Sequence, residues 1–275
     1  MALIYPGPSW AYCTDNLPAT PVDIAYGTNV SAGANSADGA SVDLLGGALA
    51  HDIEMLVILA TSFRTAAANS STLLDILIDP AGGTAWSTDP LIPDLMVGFT
   101  GEIDLDLSTI PSLPTVYYFP IWAPAGASIG ARARTAHTSA ITTGRVVAYA
   151  MGGNSNPSSW WCGQTVTAVG ITAASSRGEM HTPGAAGTYS SWTNFGSTLP
   201  MDTGAIQWGI QAENDASFTS KIYHFEFGAG STRVGPRLCK ALESGEQSRL
   251  LLNPGPIFYN FPAGTQLQVR ATGNT

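Results

Sequence analysis

Two stretches decide how this chain is read. Pro124–Ala133 is PAGASIGARA, and Pro262–Ala271 is PAGTQLQVRA. The offset is 138 residues, almost half of the 275-residue chain. In both, aromatic residues precede the Pro-Ala-Gly turn: Tyr117, Tyr118 and Phe119 in the first, Phe258, Tyr259 and Phe261 in the second. In both, apolar positions alternate after the turn, which is the period-2 pattern of a half-buried strand. Arg132 and Arg270 then fall on the face opposite the apolar residues. A fainter echo pairs Ile78–Thr84 with Glu226–Thr232 at an offset of 148. Self-similarity on this scale predicts one structural unit used twice. About ten extra residues then belong in the first copy, and Gly101–Pro114 is the natural place for them.

Outward from these stretches, strand signals dominate. Glu54–Phe63, Thr72–Asp79, Val116–Trp122, Arg145–Met151, Thr165–Thr172, Ala205–Ala212 and Ile222–Phe227 are apolar, β-branched or alternating runs. Clusters of Gly, Pro, Asn and Ser separate them. Helix signals are nearly absent. The one fair candidate lies between Gly235 and Leu252, where Gly245 interrupts it and leaves a short helix or turn. The expected fold is all-β: two tandem β-sandwich or jelly-roll-like domains with an extended N-terminal arm. The expected boundaries are 1–24 for the arm, 25–138 for the first sandwich and 139–275 for the second.

Composition narrows the function. The chain carries 11 Lys+Arg and 20 Asp+Glu, and charged residues make up 11% of it, against about 25% in an ordinary domain. A net charge of −9 provides no basic footprint for nucleic acid. No apolar run reaches the length of a membrane helix, and MALIYPGPSW lacks the basic start of a secretory leader. The three cysteines, Cys13, Cys162 and Cys239, match neither a zinc pattern nor a disulfide framework. The acidic excess is one-sided. Residues 1–137 hold 13 acids and 3 bases, and residues 138–275 hold 7 and 8. Such a split suits head-to-tail contact or different neighbours for each half. On this reading the near-neutral half is covered by neighbours and the acidic half faces solvent.

Chemistry is sparse. There is no GxSxG, no phosphate-binding glycine loop and no HExxH, and the four histidines lie far apart. An enzyme is not expected, and neither is a cofactor. The carboxylates Glu102, Asp104 and Asp106 share one face of an extended segment, with Asp89 and Asp94 upstream. Their repulsion could be relieved by a hard cation such as Ca²⁺ through oxygen ligands, or they form a solvated edge. Trp160, Trp161 and Trp192 sit in or beside Gly/Ser-rich loops, where tryptophan serves as core, protein interface or sugar-stacking ring.

The strings Leu74–Thr84 (LDILIDPAGGT), Leu91–Leu95 (LIPDL) and Tyr117–Gly126 (YYFPIWAPAG) resemble β-rich structural proteins of tailed bacteriophages. The resemblance covers about residues 50–135. It implies a jelly-roll-like virion component, assembled in the host cytoplasm, whose partners are other virion proteins and copies of itself. It implies no catalytic residue, no direct contact with nucleic acid and no membrane. Decoration, neck or collar, and tail positions all fit. The alternative is a carbohydrate-binding β-sandwich module, with a glycan as partner and host-receptor binding as its use.

Overall fold

The computed structural model describes residues 10–13, 27–33, 36–64, 70–100, 115–135, 143–152, 163, 165–171, 173, 178–209, 221–242 and 255–273. Among them there are sixteen strands and no helix. The chain divides into two compact units, Met1–Ala168 and Val169–Thr275.

The first unit contains β1 (Trp10–Cys13), β2 (Thr28–Gly33), β3 (Val42–Asp43), β4 (Met55–Arg64), β5 (Ser70–Asp79), β6 (Ile92–Thr100), β7 (Thr115–Phe119), β8 (Ser128–Thr135) and β9 (Thr143–Gly152). Their order is β6-β5-β8-β2-β9-β4-β7, with β3 beside β8 and β1 beside β9. β2 belongs to two layers. Thr28–Ser31 pair antiparallel with β9, and Ala32 and Gly33 pair parallel with β8. A strand that changes partner in this way is a corner of a sandwich. The sheet therefore folds over, and β4 packs near β6 although four strands separate them in the order. Tyr117 ties the layers by donating its hydroxyl hydrogen to the Met96 carbonyl (2.5 Å). Between the layers lie Val30, Leu56, Ile58, Leu74, Ile76, Ile129 and Ala131, all fully buried.

The second unit contains β10 (Thr193–Asn194), β11 (Thr203–Ile206), β12 (Lys221–Ala229), β13 (Thr232–Arg233), β14 (Leu238–Leu242), β15 (Ile257–Phe261) and β16 (Leu267–Gly273). One sheet runs β10-β16-β12-β13, with β14 also on β12, and β11 pairs with β15 in a second. Alternation on β12 sends Phe225 and Phe227 into a core with Leu199, Trp208, Phe261, Leu267 and Ala271. Trp208 stacks on Phe227 with ring centroids 4.9 Å apart.

The Pro-Ala-Gly turns are wired alike in the two units. In the first, Leu49 N–H donates to Ala127 C=O (2.7 Å) and Gly126 N–H donates to Leu49 C=O (2.7 Å). In the second, Leu199 N–H donates to Thr265 C=O (2.9 Å) and Gly264 N–H donates to Leu199 C=O (2.8 Å). Three residues after each leucine an aspartate holds the turn. Asp52 Oδ1 accepts from Ala125 N–H (2.7 Å), and Asp202 Oδ1 accepts from Ala263 N–H (2.8 Å). Gly126 and Gly264 have φ of +87° and +81°, which the third position of a type II turn requires.

Several expectations change. The units divide after Ala168, not after residue 138, because β9 hydrogen-bonds to β1, β2 and β4 and so belongs to the first sheet. Trp10–Cys13, expected within an extended arm, form strand β1 on β9, and residues 1–9 and 14–24 lie outside the described residues. Within Gly235–Leu252, expected as a short helix or turn, Leu238–Leu242 form strand β14 on β12, and residues 243–252 lie outside the described residues. Thr165–Val169 form no strand. Val169 packs on the second core, and Gly170 turns the chain at a φ of +92°. The weak echo also shifts register. Asp75 lies opposite Arg132, and Glu226 lies opposite Arg270, so the structural offset in that strand is 151 rather than 148.

Candidate functional site

The same rung recurs in both units: an acid on one strand opposite an arginine on the next. In the second unit, alternation that buries Phe225 and Phe227 puts Glu226 on the outer face of β12. Arg270, in register across β16, shares that face, and opposite charges on facing residues attract. Glu226 is nevertheless only 1% exposed, because arginines and rings cover it.

Its two oxygens are filled. Oε1 accepts from Nε (2.9 Å) and Nη2 (2.6 Å) of Arg237, and Oε2 accepts from Nε (2.8 Å) and Nη2 (2.5 Å) of Arg270. A third guanidinium, that of Arg233, stands 3.9 Å from Oε1. Burial pushes the carboxyl's pKa up, but hydrogen bonds from Arg237 and Arg270 outweigh it and hold the group below the ordinary glutamate range. A carboxylate with about four lone-pair sites, all engaged, is an anchor and not a proton carrier. Three arginines around one glutamate leave an excess of two positive charges on this face.

Two rings frame the cluster. Arg270 Cζ lies 4.7 Å from the Tyr189 ring centroid and 4.5 Å from that of Trp192, and Arg237 Cζ lies 5.5 Å from Tyr189. These are cation–π distances. Trp192 can approach because the next position along β12 is Gly228, where a Cβ would stand 2.6 and 2.8 Å from the indole. The segment carrying both rings is fastened to β16. Gly184 N–H and Ser190 N–H both donate to the Ala271 carbonyl (2.9 Å each). His181 hydrogen-bonds Ser190 Oγ (2.9 Å) and Thr193 Oγ1 (3.0 Å), and burial lowers its pKa.

In the first unit the rung is Asp75 on β5 and Arg132 on β8. Arg132 Nε donates to Asp75 Oδ2 (3.0 Å) and also lies 3.2 Å from Asp38. Arg134 pairs with Asp94 and stands 3.6 Å from Asp38. Asp94 N–H donates to Asp75 Oδ1 (2.9 Å). Burial raises the Asp94 pKa, Asp75 and Asp38 add to that, and Arg134 opposes it. Trp86 lies against Gly130, two residues before Arg132 on the arginine strand, whereas Trp192 lies against Gly228, two residues after Glu226 on the acid strand. Three acids and two arginines leave this face one negative charge in excess. The acid–arginine pairing across two strands is shared, and the sign of the excess is reversed.

Of the residues singled out from sequence, Glu102, Asp104, Asp106, Trp160 and Trp161 lie outside the described residues. Trp192 is part of the arginine cluster, and Asp94 is part of the first rung. Asp89 is exposed, and its carbonyl accepts from Ser87 Oγ (2.8 Å). Among the described residues no group of three or more His, Cys, Asp or Glu is placed to hold a metal ion. Sequence reading missed Asp75, Glu226, Arg233, Arg237 and Tyr189. The signal that could have found the first two was the Arg132–Arg270 echo, followed to an acid one strand away.

No family model matches the chain, and no curated protein matches it. A solved structure, the plant peptide RALF23 in complex with FER and LLG2, aligns at 9% identity over 99% of this chain and 90% of that one. Its TM-score of 0.26 is too low to bear on the fold.

Proposed function

We propose that this protein is a non-enzymatic structural component of a bacteriophage particle, acting through assembly with copies of itself and with other virion proteins. Capsid decoration, neck or collar, and tail-associated positions are the places such a subunit occupies, and it is built into the virion in the host cytoplasm. The observation that carries the reading is an exposed aromatic pair. Phe258 and Tyr259, on β15, are 60% and 57% exposed. Adjacent exposed aromatics on a chain with so few charges suit a surface that neighbours cover. The resemblance of residues 50–135 to phage structural proteins supports the same reading.

The test is the oligomeric state and its dependence on that pair. Light scattering behind size exclusion should show concentration-dependent association that Phe258→Ser with Tyr259→Ser abolishes. A protein that stays monomeric at high concentration, and is missing from purified particles by mass spectrometry, overturns the proposal.

A second reading, a carbohydrate-binding β-sandwich module used on a host receptor, is favoured by one observation: Tyr189 and Trp192 stand beside an arginine cluster with spare positive charge. A glycan screen tests it, and loss of binding in Trp192→Ala is the expected result.

A further inference from the structure

We infer that the face formed by Arg233, Arg237, Arg270, Tyr189 and Trp192 binds the oxyanion of an acidic glycan, a carboxylate or sulfate carried on a sugar ring. The inference rests on the carbohydrate reading above and specifies its ligand. The charge argument comes first. Glu226 neutralises one of three guanidinium groups, so the face keeps two positive charges within a unit whose charged residues balance, seven acids against seven bases over residues 169–275. Arg233 and Arg237 have side chains 50% and 52% exposed, so their charge reaches solvent.

Geometry makes the face more than a charged patch. Glu226 engages Nε and Nη2 of both Arg237 and Arg270, which fixes the planes of two guanidinium forks. Arg270 is further held against two rings. Arg237 is also hydrogen-bonded to Tyr189, and the half-exposed Arg233, 3.9 Å from Oε1, stands beside the two fixed forks with its own donors outside the Glu226 hydrogen bonds. A pre-positioned fork binds a planar or tetrahedral oxyanion with little loss of side-chain entropy.

The rings select among anions. An aspartate or glutamate of a partner peptide is a lone anion on a flexible stem. A sugar acid joins its oxyanion to a rigid ring whose C–H face packs on an aromatic edge or face, and Tyr189 and Trp192 are only half-buried. A nucleic acid would place many phosphates against a chain of net charge −9.

The experiment uses the full chain and three probes: a heparin-type sulfated oligosaccharide, a neutral oligosaccharide of equal length, and poly-glutamate. Binding is read by calorimetry at low and physiological salt. The expected result is binding of the sulfated probe, weakened by salt, and weaker by about tenfold or more in Arg237→Gln and again in Arg233→Gln. Arg233 is half-exposed and makes no hydrogen bond to Glu226, so an unchanged melting temperature is expected of Arg233→Gln; Arg237→Gln gives up two bonds to Glu226, and retention of a cooperative unfolding transition shows that it folds. Binding of the neutral probe with no effect of either substitution overturns the inference while leaving the carbohydrate reading in place. Equal binding of poly-glutamate overturns the choice of sugar. Absence of all binding overturns both.

Discussion

Replacing Glu226 by Gln is the sharpest test of how the second unit holds its outer face. Glutamine keeps the shape but not the charge, and only one of its two terminal atoms accepts hydrogen bonds. In the native protein Oε1 serves Arg237 and Oε2 serves Arg270, two bonds each. After substitution one guanidinium faces an amide that also donates. Breaking a buried ion pair costs about 3–5 kcal/mol where both partners are buried. Here Arg237 is half-exposed and regains water, so its share is small, whereas Arg270 is held between Tyr189 and Trp192. The net loss is then about 2 kcal/mol, which lowers the melting temperature of a domain of about 100 residues by about 10 °C. Differential scanning calorimetry at neutral pH measures this directly. The pH dependence gives a second readout. Because the folded pKa of Glu226 lies below its ordinary value of 4.5, its contribution is complete above that value and disappears as the pH falls through the depressed one. The difference in stability between the native protein and Glu226→Gln should therefore be constant above pH 4.5 and shrink below it. A shift under about 2 °C, or a difference that does not change with acid, refutes the anchoring argument.

Gly228→Ala drives a Cβ to within 2.8 Å of the Trp192 ring and should cost about 1–3 kcal/mol in urea unfolding, with part of it recovered when Trp192 is also made Leu. Gly82→Ala should be worse than an ordinary turn substitution, because φ is +77° and the new Cβ would lie 2.4 Å from the Gly126 carbonyl oxygen; a melting temperature equal to that of the parent would contradict it. Asp52→Ala and Asp202→Ala each remove one carboxylate bond to a turn N–H and should each cost about 1 kcal/mol. Markedly unequal losses in calorimetry would show that the two turns are not equivalent.

The strands that burial alone dictates were legible. β4, β5, β9 and β12 fall on the runs Glu54–Phe63, Thr72–Asp79, Arg145–Met151 and Ile222–Phe227, because apolar continuity or alternation leaves little choice of structure. β14 was not legible. Leu238–Leu242 contains Lys240 and Ala241, good helix formers, and only the edge of β12 makes them a strand. β6 was hidden as well: Pro93 near its start demotes it locally, and its pairing with β5 tolerates irregularities between Thr72 and Leu73 and between Leu74 and Ile76. The arginine cluster escaped for a different reason. Arg233, Arg237 and Glu226 are neighbours of Arg270 only through strand register, and Tyr189 and Trp192 arrive from a loop. The echo at 148 matched letters, Ala-Gly-Gly against Ala-Gly-Ser, whereas the fold matches an acid to an arginine three residues out of that alignment.

That three-residue correction changes what the charge asymmetry means. Sequence alone distributes acids over one half of the chain and leaves their position open. In the structure, part of the difference lies at one equivalent rung. Asp75 and Glu226 are both nearly inaccessible, both lie opposite an arginine, and both are fully used by their own unit. These pairs hold the sheet and are not themselves free to recognise anything. What differs is what surrounds them: Asp38 and Asp94 in the first unit, Arg233 and Arg237 in the second. A rung whose buried pair is kept while its rim changes sign lets one scaffold present two unlike faces. Stability depends on the pair, which is why Glu226→Gln should unfold the second unit more readily. Selectivity depends on the rim, which is why Arg233→Gln, 3.9 Å from the carboxylate and outside its hydrogen bonds, should alter binding and leave the melting temperature in place.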